Sequence, residues 1–257
     1  MTIHSSWFKV QRTLWALLIC CCVCNVSAQT PEDSTVVDTS TRFSARQLIL
    51  PASLMTVGTF GVYNGWFKHM KRDLKEDFAD WRDGHYCHID DKLQYLPVVA
   101  NLGLGLTGLK ARHSLKERVA ITATSYLALG LTVNVVKHTV REKRPDSDKR
   151  NSFPSGHTST AFMGAELVRA DYGTVPGICA YTVASGIAVL RLYNERHWLN
   201  DVIAGAGVGI LCARVGYWLL PAERKLFGWS NKETTTVVIP TYQPDTQTLG
   251  LALSMAF

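Results

Sequence analysis

The sequence predicts an all-α, membrane-associated bundle of about six core helices that ends in a short C-terminal β-hairpin. Charged residues make up 19% of the 257 residues, below the ~25% that is usual for soluble chains. Apolar segments rich in Ala, Gly, Thr and Val recur along the chain, and such small residues let helices pack closely, as in a membrane bundle. These segments are residues 47–67, 93–109, 119–136, 158–168, 175–192 and 202–220.

The C-terminal residues have a different pattern, which predicts the hairpin. Residues 234–241 are rich in β-branched side chains, and Gln-Pro-Asp-Thr at 243–246 is a turn signal. From residue 249 to 257 large apolar residues alternate strictly with smaller ones, as in a strand. We therefore separate a tail at 231–257 from a helical domain at 47–230, and expect the hairpin to pack against the bundle rather than to serve in targeting or partner docking.

Residues 1–28 have the layout of a secretory signal peptide. Lys9 and Arg12 precede a short apolar stretch at 14–24, and Val-Ser-Ala stands just before the start of a polar linker at 29–46. An uncleaved anchor is the alternative interpretation, although the apolar stretch is shorter than a membrane span needs.

Net charge and cysteine content exclude several classes of protein. The formal charge of +6, from 27 Lys and Arg against 21 Asp and Glu, suits anionic partners such as phosphates or a lipid surface. No basic run is long enough to predict a nucleic-acid-binding tail. Four of the seven cysteines lie in the signal segment, and the remaining Cys87, Cys179 and Cys212 are widely spaced. We therefore expect no disulfide framework.

A surface helix and a polar loop follow the first apolar segment. Residues 68–82 place large apolar side chains at steps of three and four, which predicts an amphipathic helix lying on a surface. The loop after it contains side chains of the metal-ligating types, but their spacing fits no standard zinc site, and we interpret it as a loop near the functional site. These side chains are His85, Cys87, His88, Asp90 and Asp91.

The first of three motifs is Lys137, followed seven residues later by Arg144 and then by Pro145. Two cations at this spacing lie on one helical face for as long as the helix lasts, and the proline turns the chain away. Taken alone, the pair would be interpreted as charge flanking a membrane helix.

The second motif, Pro-Ser-Gly-His at 154–157, opens the next apolar helix. Ser155 can cap the helix, Gly156 lets the backbone approach an anion, and free N–H groups at a helix start can bind phosphate oxygens. His157 is then placed to give a proton to a leaving oxygen. An ordinary N-cap turn with an exposed histidine would fit these four residues equally well.

The third motif joins Arg191, His197 and Asp201. On one helix, residues four apart are neighbours, so Asp201 would accept a hydrogen bond from one ring nitrogen of His197. That bond fixes the tautomer and makes the other nitrogen a better nucleophile. Arg191 offers a forked donor for phosphoryl oxygens. A lone His–Asp pair of this kind is more often structural, but three such motifs in order on three helix ends indicate one phosphate site.

The motifs, KHTVREKRP, PSGH and RLYNERHWLND, resemble those of the type 2 phosphatidic acid phosphatase (PAP2) family, which shares its site with the vanadium haloperoxidases. The resemblance is close from Lys137 to Asp201 and loose in the flanking helices. The third motif of the family often begins with Ser-Arg, whereas Leu190 precedes Arg191 here, which removes one possible hydroxyl.

The resemblance implies which residues bind the phosphate. Lys137, Arg144 and Arg191 would hold it, with help from Ser155 and from the backbone at Gly156.

It also implies the catalytic residues. His197 would attack phosphorus to give a phosphohistidine, His157 would protonate the departing alcohol, and Asp201 would orient His197. No metal or other cofactor is expected, because the cations supply the charge compensation that Mg²⁺ gives elsewhere.

We therefore predict a phosphatase that acts on a phosphomonoester or pyrophosphate of a membrane lipid in a bacterial envelope. Lipid A, polyprenyl pyrophosphate, phosphatidylglycerophosphate and phosphatidic acid are the candidate substrates. The alternatives are a vanadate-dependent haloperoxidase, for which the chain is short and apolar, a soluble periplasmic acid phosphatase, and a scaffold without activity.

We expect the protein in the bacterial inner membrane with its site facing the periplasm, although two observations disagree about the side. After a cleaved signal, spans at 47–67, 93–109 and 119–136 would put Lys137 in the cytoplasm. Four Lys and Arg in the loop at 110–118 instead favour that loop inside and the catalytic loops outside. Either one early apolar segment does not span, or the N-terminal segment is not handled as a normal signal, or the bundle is wholly periplasmic and soluble or peripheral.

Overall fold

A computed structural model describes residues 41–229 with their side chains and the backbone of residues 235–243 and 248–256. The described residues contain eight α-helices, one 3-10 turn and two strands. The helices are α1 (Arg46–Tyr63), α2 (Gly65–Arg82), α3 (Asp90–Leu93), α4 (Leu96–Gly103), α5 (Leu115–Val140), α6 (Gly156–Tyr172), α7 (Thr174–Tyr193) and α8 (Leu199–Leu226), with the 3-10 turn at Leu104–Thr107. The helical class is thus confirmed for the body of the chain, and the predicted signal peptide at 1–28 lies outside the described residues.

Seven of these helices have eight or more residues, in place of the predicted count of about six. Six of them overlap the six predicted apolar segments, and the seventh, α2, overlaps the amphipathic helix predicted at 68–82. The first apolar segment is predicted as one stretch from 47 to 67. The structure divides it at Asn64, whose extended backbone ends α1 and whose side chain accepts the N–H of Phe67 at 3.1 Å. A side-chain cap of this kind starts a new helix, so the amphipathic helix begins at Gly65 rather than at residue 68.

Three helices among the described residues, α5, α7 and α8, are long and apolar enough to cross a membrane, with mean hydropathies of 1.7, 1.5 and 1.6. A helix needs about 20 largely apolar residues for this. The protein is therefore of the membrane type.

Helix α8 lies at the centre of the bundle and packs closely against three neighbours. A Cβ atom added at Gly205 would lie 2.7 Å from the carbonyl oxygen of Ser155, and one at Gly207 would lie 2.7 Å from that of Pro51 on α1. The glycines therefore bring backbone against backbone, as the sequence pattern of small residues predicts.

The buried carboxylate of Glu166 inside the bundle is paired with cations. Glu166 on α6 accepts a hydrogen bond from Nε of Arg169 at 2.7 Å, so the two residues form an ion pair within the helix. It also pairs with Arg214 of α8 and accepts the hydroxyl of Tyr181 at 2.7 Å. Pairing is the condition under which charges are tolerated in an apolar interior.

The tail consists of two strands, β1 (Thr235–Gln243) and β2 (Thr248–Ala256). They pair antiparallel, with Thr235 opposite Ala256 and Gln243 opposite Thr248. The predicted linker at 29–46 falls within the described chain only from residue 41, and helix α1 begins at Arg46.

Candidate active site

The three sequence motifs meet at one end of the bundle. Lys137 lies in the last turn of α5, Gly156 and His157 open α6, and Arg191 lies in the last turn of α7. The backbone N–H of Ser155 donates to the carbonyl of Asp201 at 3.0 Å, which joins the start of α6 to the start of α8.

His197 is buried, and one of its ring nitrogens faces a hydrogen-bonding pair. Its Nδ1 lies 3.4 Å from Oδ2 of Asp201 and 3.5 Å from Oγ of Ser152. The Ser152 hydroxyl itself donates to Asp201 Oδ2 at 2.5 Å. These acceptors favour the tautomer with the proton on Nδ1, which leaves a lone pair on Nε2.

The local structure around His197 differs from the sequence prediction. We expected His197 and Asp201 on one helix, but α8 begins only at Leu199, so His197 lies in the turn before it. Asp201 is at the third helical position and accepts the N–H of Trp198 at 2.8 Å. A carboxylate there satisfies a free N–H group at the helix start, and the same side chain can still face the histidine.

The surroundings keep the imidazole of His197 neutral. Burial lowers its pKa, and the nearby positive charges of Arg191, Arg144 and Lys137 lower it further. Both effects disfavour the charged form. A neutral imidazole has the lone pair that a nucleophile requires.

Arg144 belongs to the cation group, but it lies on a loop rather than on the helix. Helix α5 ends at Val140, and Arg141 takes the left-handed conformation with φ of 51°. Lys137 and Arg144 would share a helical face only for as long as the helix lasts, and the helix ends at Val140, before Arg144. Arg144 is fixed instead by a hydrogen bond from its Nε to Asn151 Oδ1 at 2.7 Å.

Arg191 is buried and has one edge of its guanidinium group occupied. Its Nη1 donates to Oδ2 of Asp90 at 2.6 Å and to Oδ1 of Asp91 at 3.1 Å. Its Nε is buried without a hydrogen-bond partner among the described residues. A buried donor without a partner is costly, so this edge is well suited to a phosphoryl oxygen.

His157 is half-buried, and its Nε2 lies 2.9 Å from Oδ1 of Asp91. Burial and the charge of Arg191 lower the pKa of His157, whereas Asp91 opposes them. His157 therefore faces both a cation and a carboxylate, and the carboxylate favours its protonated form.

Ser155 does not cap α6, contrary to the sequence prediction. It is fully buried, and its hydroxyl accepts a hydrogen bond from that of Thr158 at 3.0 Å. The N–H groups of the first turn are thereby left without a side-chain cap. The space beside Gly156 is open, since a Cβ added there would meet no atom within 4 Å, so an anion can approach those N–H groups.

From the sequence alone, Asp90 and Asp91 are assigned only to a loop near the site. In the structure Asp90 is fully buried, and its Oδ1 also accepts a hydrogen bond from Nδ2 of Asn194 at 3.2 Å. Only the fold brings the pair close to Arg191, about 100 positions later in the chain, so no local pattern could have shown it. Among residues 41–229, no group of three or more His, Cys, Asp or Glu side chains is placed to hold a metal.

A second set of polar residues contacts Asp201 and the loop that carries Arg144, and so holds the site in place. Glu142 forms an ion pair with Lys71 of α2. It also accepts a hydrogen bond from Nδ2 of Asn200 at 2.7 Å, and the same Nδ2 donates to Oδ1 of Asp201 at 3.0 Å. Burial and the charge of Asp201 raise the pKa of Glu142 to about 7, against the effect of Lys71. Lys75 of α2 also donates to the carbonyl of Pro145 at 3.0 Å. The amphipathic helix therefore holds the loop that carries Arg144.

The described residues thus form a helical bundle of the membrane type, in which a buried histidine is surrounded by three cations. Residues 118–225 match the PAP2 superfamily, and this range includes Lys137, Arg144, His157, Arg191 and His197. Through this region the chain is similar to the PAP2 superfamily.

Two curated relatives are similar to the chain. Lipid A 1-phosphatase of Porphyromonas gingivalis is 39% identical over 138 residues, which cover 52% of this chain and 31% of that protein. The chain thus spans about a third of the length of this relative. Lipid A 1-phosphatase of Helicobacter pylori is 24% identical over 184 residues, which cover 70% of this chain and 89% of the relative.

One solved structure supports the fold. It is the transmembrane PAP2-type phosphatidylglycerolphosphate phosphatase of Bacillus subtilis, with a TM-score of 0.50 and 16% identity. The likeness covers 72% of this chain and 99% of that one.

Proposed function

We propose that the protein removes a phosphoryl group from a membrane lipid through a phosphohistidine at His197. The observation that carries the proposal is the geometry of this side chain. It is buried, its Nδ1 faces Asp201 and Ser152, and it lies in the field of three cations. A neutral nucleophile beside positive charge is what attack on an anionic phosphate requires.

The phosphate-binding groups would be the cations and the start of α6. Lys137, Arg144 and the free edge of Arg191 neutralise the phosphoryl oxygens. The N–H groups that begin at Gly156 add donors, as does the hydroxyl of Ser155. Together they hold the charge that develops on the oxygens in the transition state.

In the first step, Nε2 of His197 attacks phosphorus and the bond from phosphorus to the lipid oxygen breaks. The leaving oxygen takes a proton from His157, so the lipid departs as an alcohol or, from a pyrophosphate, as a monophosphate. Asp201 holds the Nδ1 proton of the imidazolium that forms, and thereby stabilises it.

In the second step, water attacks the phosphohistidine. His157, now neutral, accepts a proton from the water, the bond from phosphorus to nitrogen breaks, and phosphate leaves. The environment of His157 suits both steps, because Asp91 favours its protonated form while burial and Arg191 favour the neutral one. No step uses a metal ion.

We further propose that the domain at 47–230 acts on lipid A at the periplasmic face of the inner membrane. The names of the two curated relatives support this substrate over polyprenyl pyrophosphate, phosphatidylglycerophosphate and phosphatidic acid. Three membrane-type helices argue against the soluble acid phosphatase as an alternative.

The test is phosphate release from defined lipids by the purified protein and by the variant His197→Ala. We expect the variant to lose activity by a factor of at least ~10⁴, with its helical content unchanged. Brief reaction with ³²P-labelled lipid and quenching in base should trap acid-labile label on the wild type only. His69→Ala, which removes an exposed histidine on α2, is the matched control. Near-normal turnover by the His197 variant would refute the proposed intermediate.

A further inference from the structure

We propose that a cationic cleft at the end of α5 binds a second phosphoryl group of the same lipid, distal to the one that is removed. This inference rests on the proposed function and names a further binding site for its substrate. The cleft has a volume of about 610 Å³, within the range of ordinary ligand pockets. It is lined by Asn134, Lys137, His138, Arg141, Lys149, Arg150 and Asn151.

The lining is strongly positive, and its charge is not compensated within the described residues. Arg141, Lys149 and Arg150 are exposed, and no carboxylate among the described residues pairs with them. The carboxylates of the same loop are engaged elsewhere, since Glu142 pairs with Lys71, Asp146 with Arg196 and Asp148 with Lys143. Three cations facing one concave space repel one another and favour a multivalent anion.

The cleft shares Lys137 with the proposed phosphate-binding residues. Lys137 lines the cleft and also interacts electrostatically with Arg144, Arg191 and Asp201. Asn151, another lining residue, uses its Oδ1 to hold Nε of Arg144, and its amide N–H groups have no partner among the described side chains. A lipid whose reacting phosphate lies between Arg144 and Arg191 therefore extends past Lys137 into the cleft.

A second phosphoryl group fits this position better than a general membrane surface does. A flat anionic surface needs exposed cations on a convex face, whereas these cations surround a recess and are joined by two amides. Amides and guanidinium groups together provide directional donors for phosphoryl oxygens. We therefore expect the cleft to distinguish a bisphosphorylated lipid from the same lipid with one phosphate.

The experiment compares two synthetic glycolipids that differ only in whether the distal phosphate is present or replaced by hydroxyl. The protein variant combines Arg141→Asn, Lys149→Gln and Arg150→Gln. Asn suits the left-handed backbone at position 141, so the fold should be preserved. Melting temperature and helical content check this, and the pair Lys149→Gln and Arg150→Gln alone provides a milder variant.

We expect the wild type to favour the bisphosphorylated lipid in kcat/KM by about tenfold or more, as for hydrogen bonds to a charged group. The triple variant should lose this preference and keep its kcat/KM for the monophosphorylated lipid. The control Lys110→Gln with Lys116→Gln removes two exposed cations near the opposite end of α5 and should leave the preference intact. Equal loss on both lipids, or no loss on either, would overturn the proposal.

Two further measurements separate the sources of the anion and the two proposals. The preference for the bisphosphorylated lipid should persist in zwitterionic and in anionic detergent micelles, because it comes from a group on the substrate. If the preference disappears in anionic micelles, bulk anionic headgroups fill the cleft. Binding of the bisphosphorylated lipid to His197→Ala, with and without the cleft substitutions, tests the cleft without turnover. Wild-type turnover of the monophosphorylated lipid tests the proposed function separately.

Discussion

Nε2 of His157 lies 2.9 Å from Oδ1 of Asp91, and the same oxygen accepts Nη1 of Arg191 at 3.1 Å. One carboxylate oxygen thus bridges the proposed general acid and a proposed phosphate-binding cation. The charges of Arg191 and His157 lower the pKa of Asp91, although burial opposes them, so the bridge is anionic at neutral pH.

Replacing Asp91 by Asn should change the pH dependence of the reaction. Asp91 raises the pKa of His157 against burial and Arg191, so its removal lowers that pKa and leaves less of the protonated acid at neutral pH. We expect kcat to fall by about tenfold and the limb of the kcat profile that reports protonated His157 to move to lower pH. Asp80→Asn, at an exposed position on α2, is the control. An unshifted profile would show that Asp91 does not act on His157.

Replacing Asp90 by Asn should instead affect stability. Asp90 and Arg191 form a buried pair, with side-chain exposures of 1% and 6%, and breaking such a pair costs about 3 kcal/mol or more. Replacing Asp91, whose side chain is 54% exposed, should lower the free energy of unfolding by less than about 1 kcal/mol. Denaturant unfolding in detergent micelles measures both. Equal destabilisation by the two adjacent substitutions would contradict the assignment of different roles.

Glu142 should make stability depend on pH between about 4.5 and 7. Its pKa is raised from 4.5 to about 7 in the folded protein, so the folded state binds the proton more tightly than the unfolded state does. The resulting stabilisation is complete below the unfolded pKa and is lost as pH rises through 7. The variant Glu142→Gln cannot titrate at this position, so its melting temperature should depend less on pH over this range. An unchanged slope of melting temperature against pH would assign the effect to another group.

Vanadate should inhibit competitively, because it can adopt the trigonal bipyramidal geometry of in-line attack by His197. Chelators should have little effect, since cations of the chain neutralise the phosphate. Steady-state kinetics with varied lipid and vanadate test the first point. Activity that is abolished by EDTA and restored by Mg²⁺ or Zn²⁺ would contradict a metal-independent mechanism.

Cys87 can report the side of the membrane on which the site lies. Its backbone N–H and carbonyl are both bonded to the side chain of Asn194, at 3.0 and 2.6 Å, which ties it to the site, and its side chain is half-buried. In a variant whose other cysteines are replaced, a membrane-impermeant thiol reagent should label Cys87 in cells bounded by the inner membrane. Labelling only after the membrane is broken would place the site in the cytoplasm.

The sequence predicted the part of the site that depends on residue types at fixed spacing. Lys137, His157, Arg191 and His197 stand at helix ends whose apolar patterns are visible in the sequence, and the structure brings these ends together. The exact ends were less predictable, because they depend on local caps. The left-handed backbone at Arg141 moves Arg144 onto a loop, a change that the apolar pattern alone does not indicate.

Long-range contacts were the part that sequence could not provide. Asp90 and Asp91 reach Arg191 across about 100 positions, and Lys71 reaches Glu142 across 71. A single polar residue in a loop or on a helix gives no signal of a partner so distant, since hydrogen bonds of this kind are set by packing of the helices.

The close contacts of α8 also limit how the protein can admit a lipid. Gly207 faces Pro51 of α1 and Gly216 faces Ile121 of α5, each so tightly that an added Cβ would lie 2.7 Å from a carbonyl oxygen, and Gly205 is wedged equally tightly against Ser155 beside α6. Because α8 is in close contact with neighbours on three sides, it cannot rotate about its axis or slide along it unless those neighbours move apart. We therefore expect lipid entry to depend on movements of side chains at the rim of the site, while α8 itself stays in place.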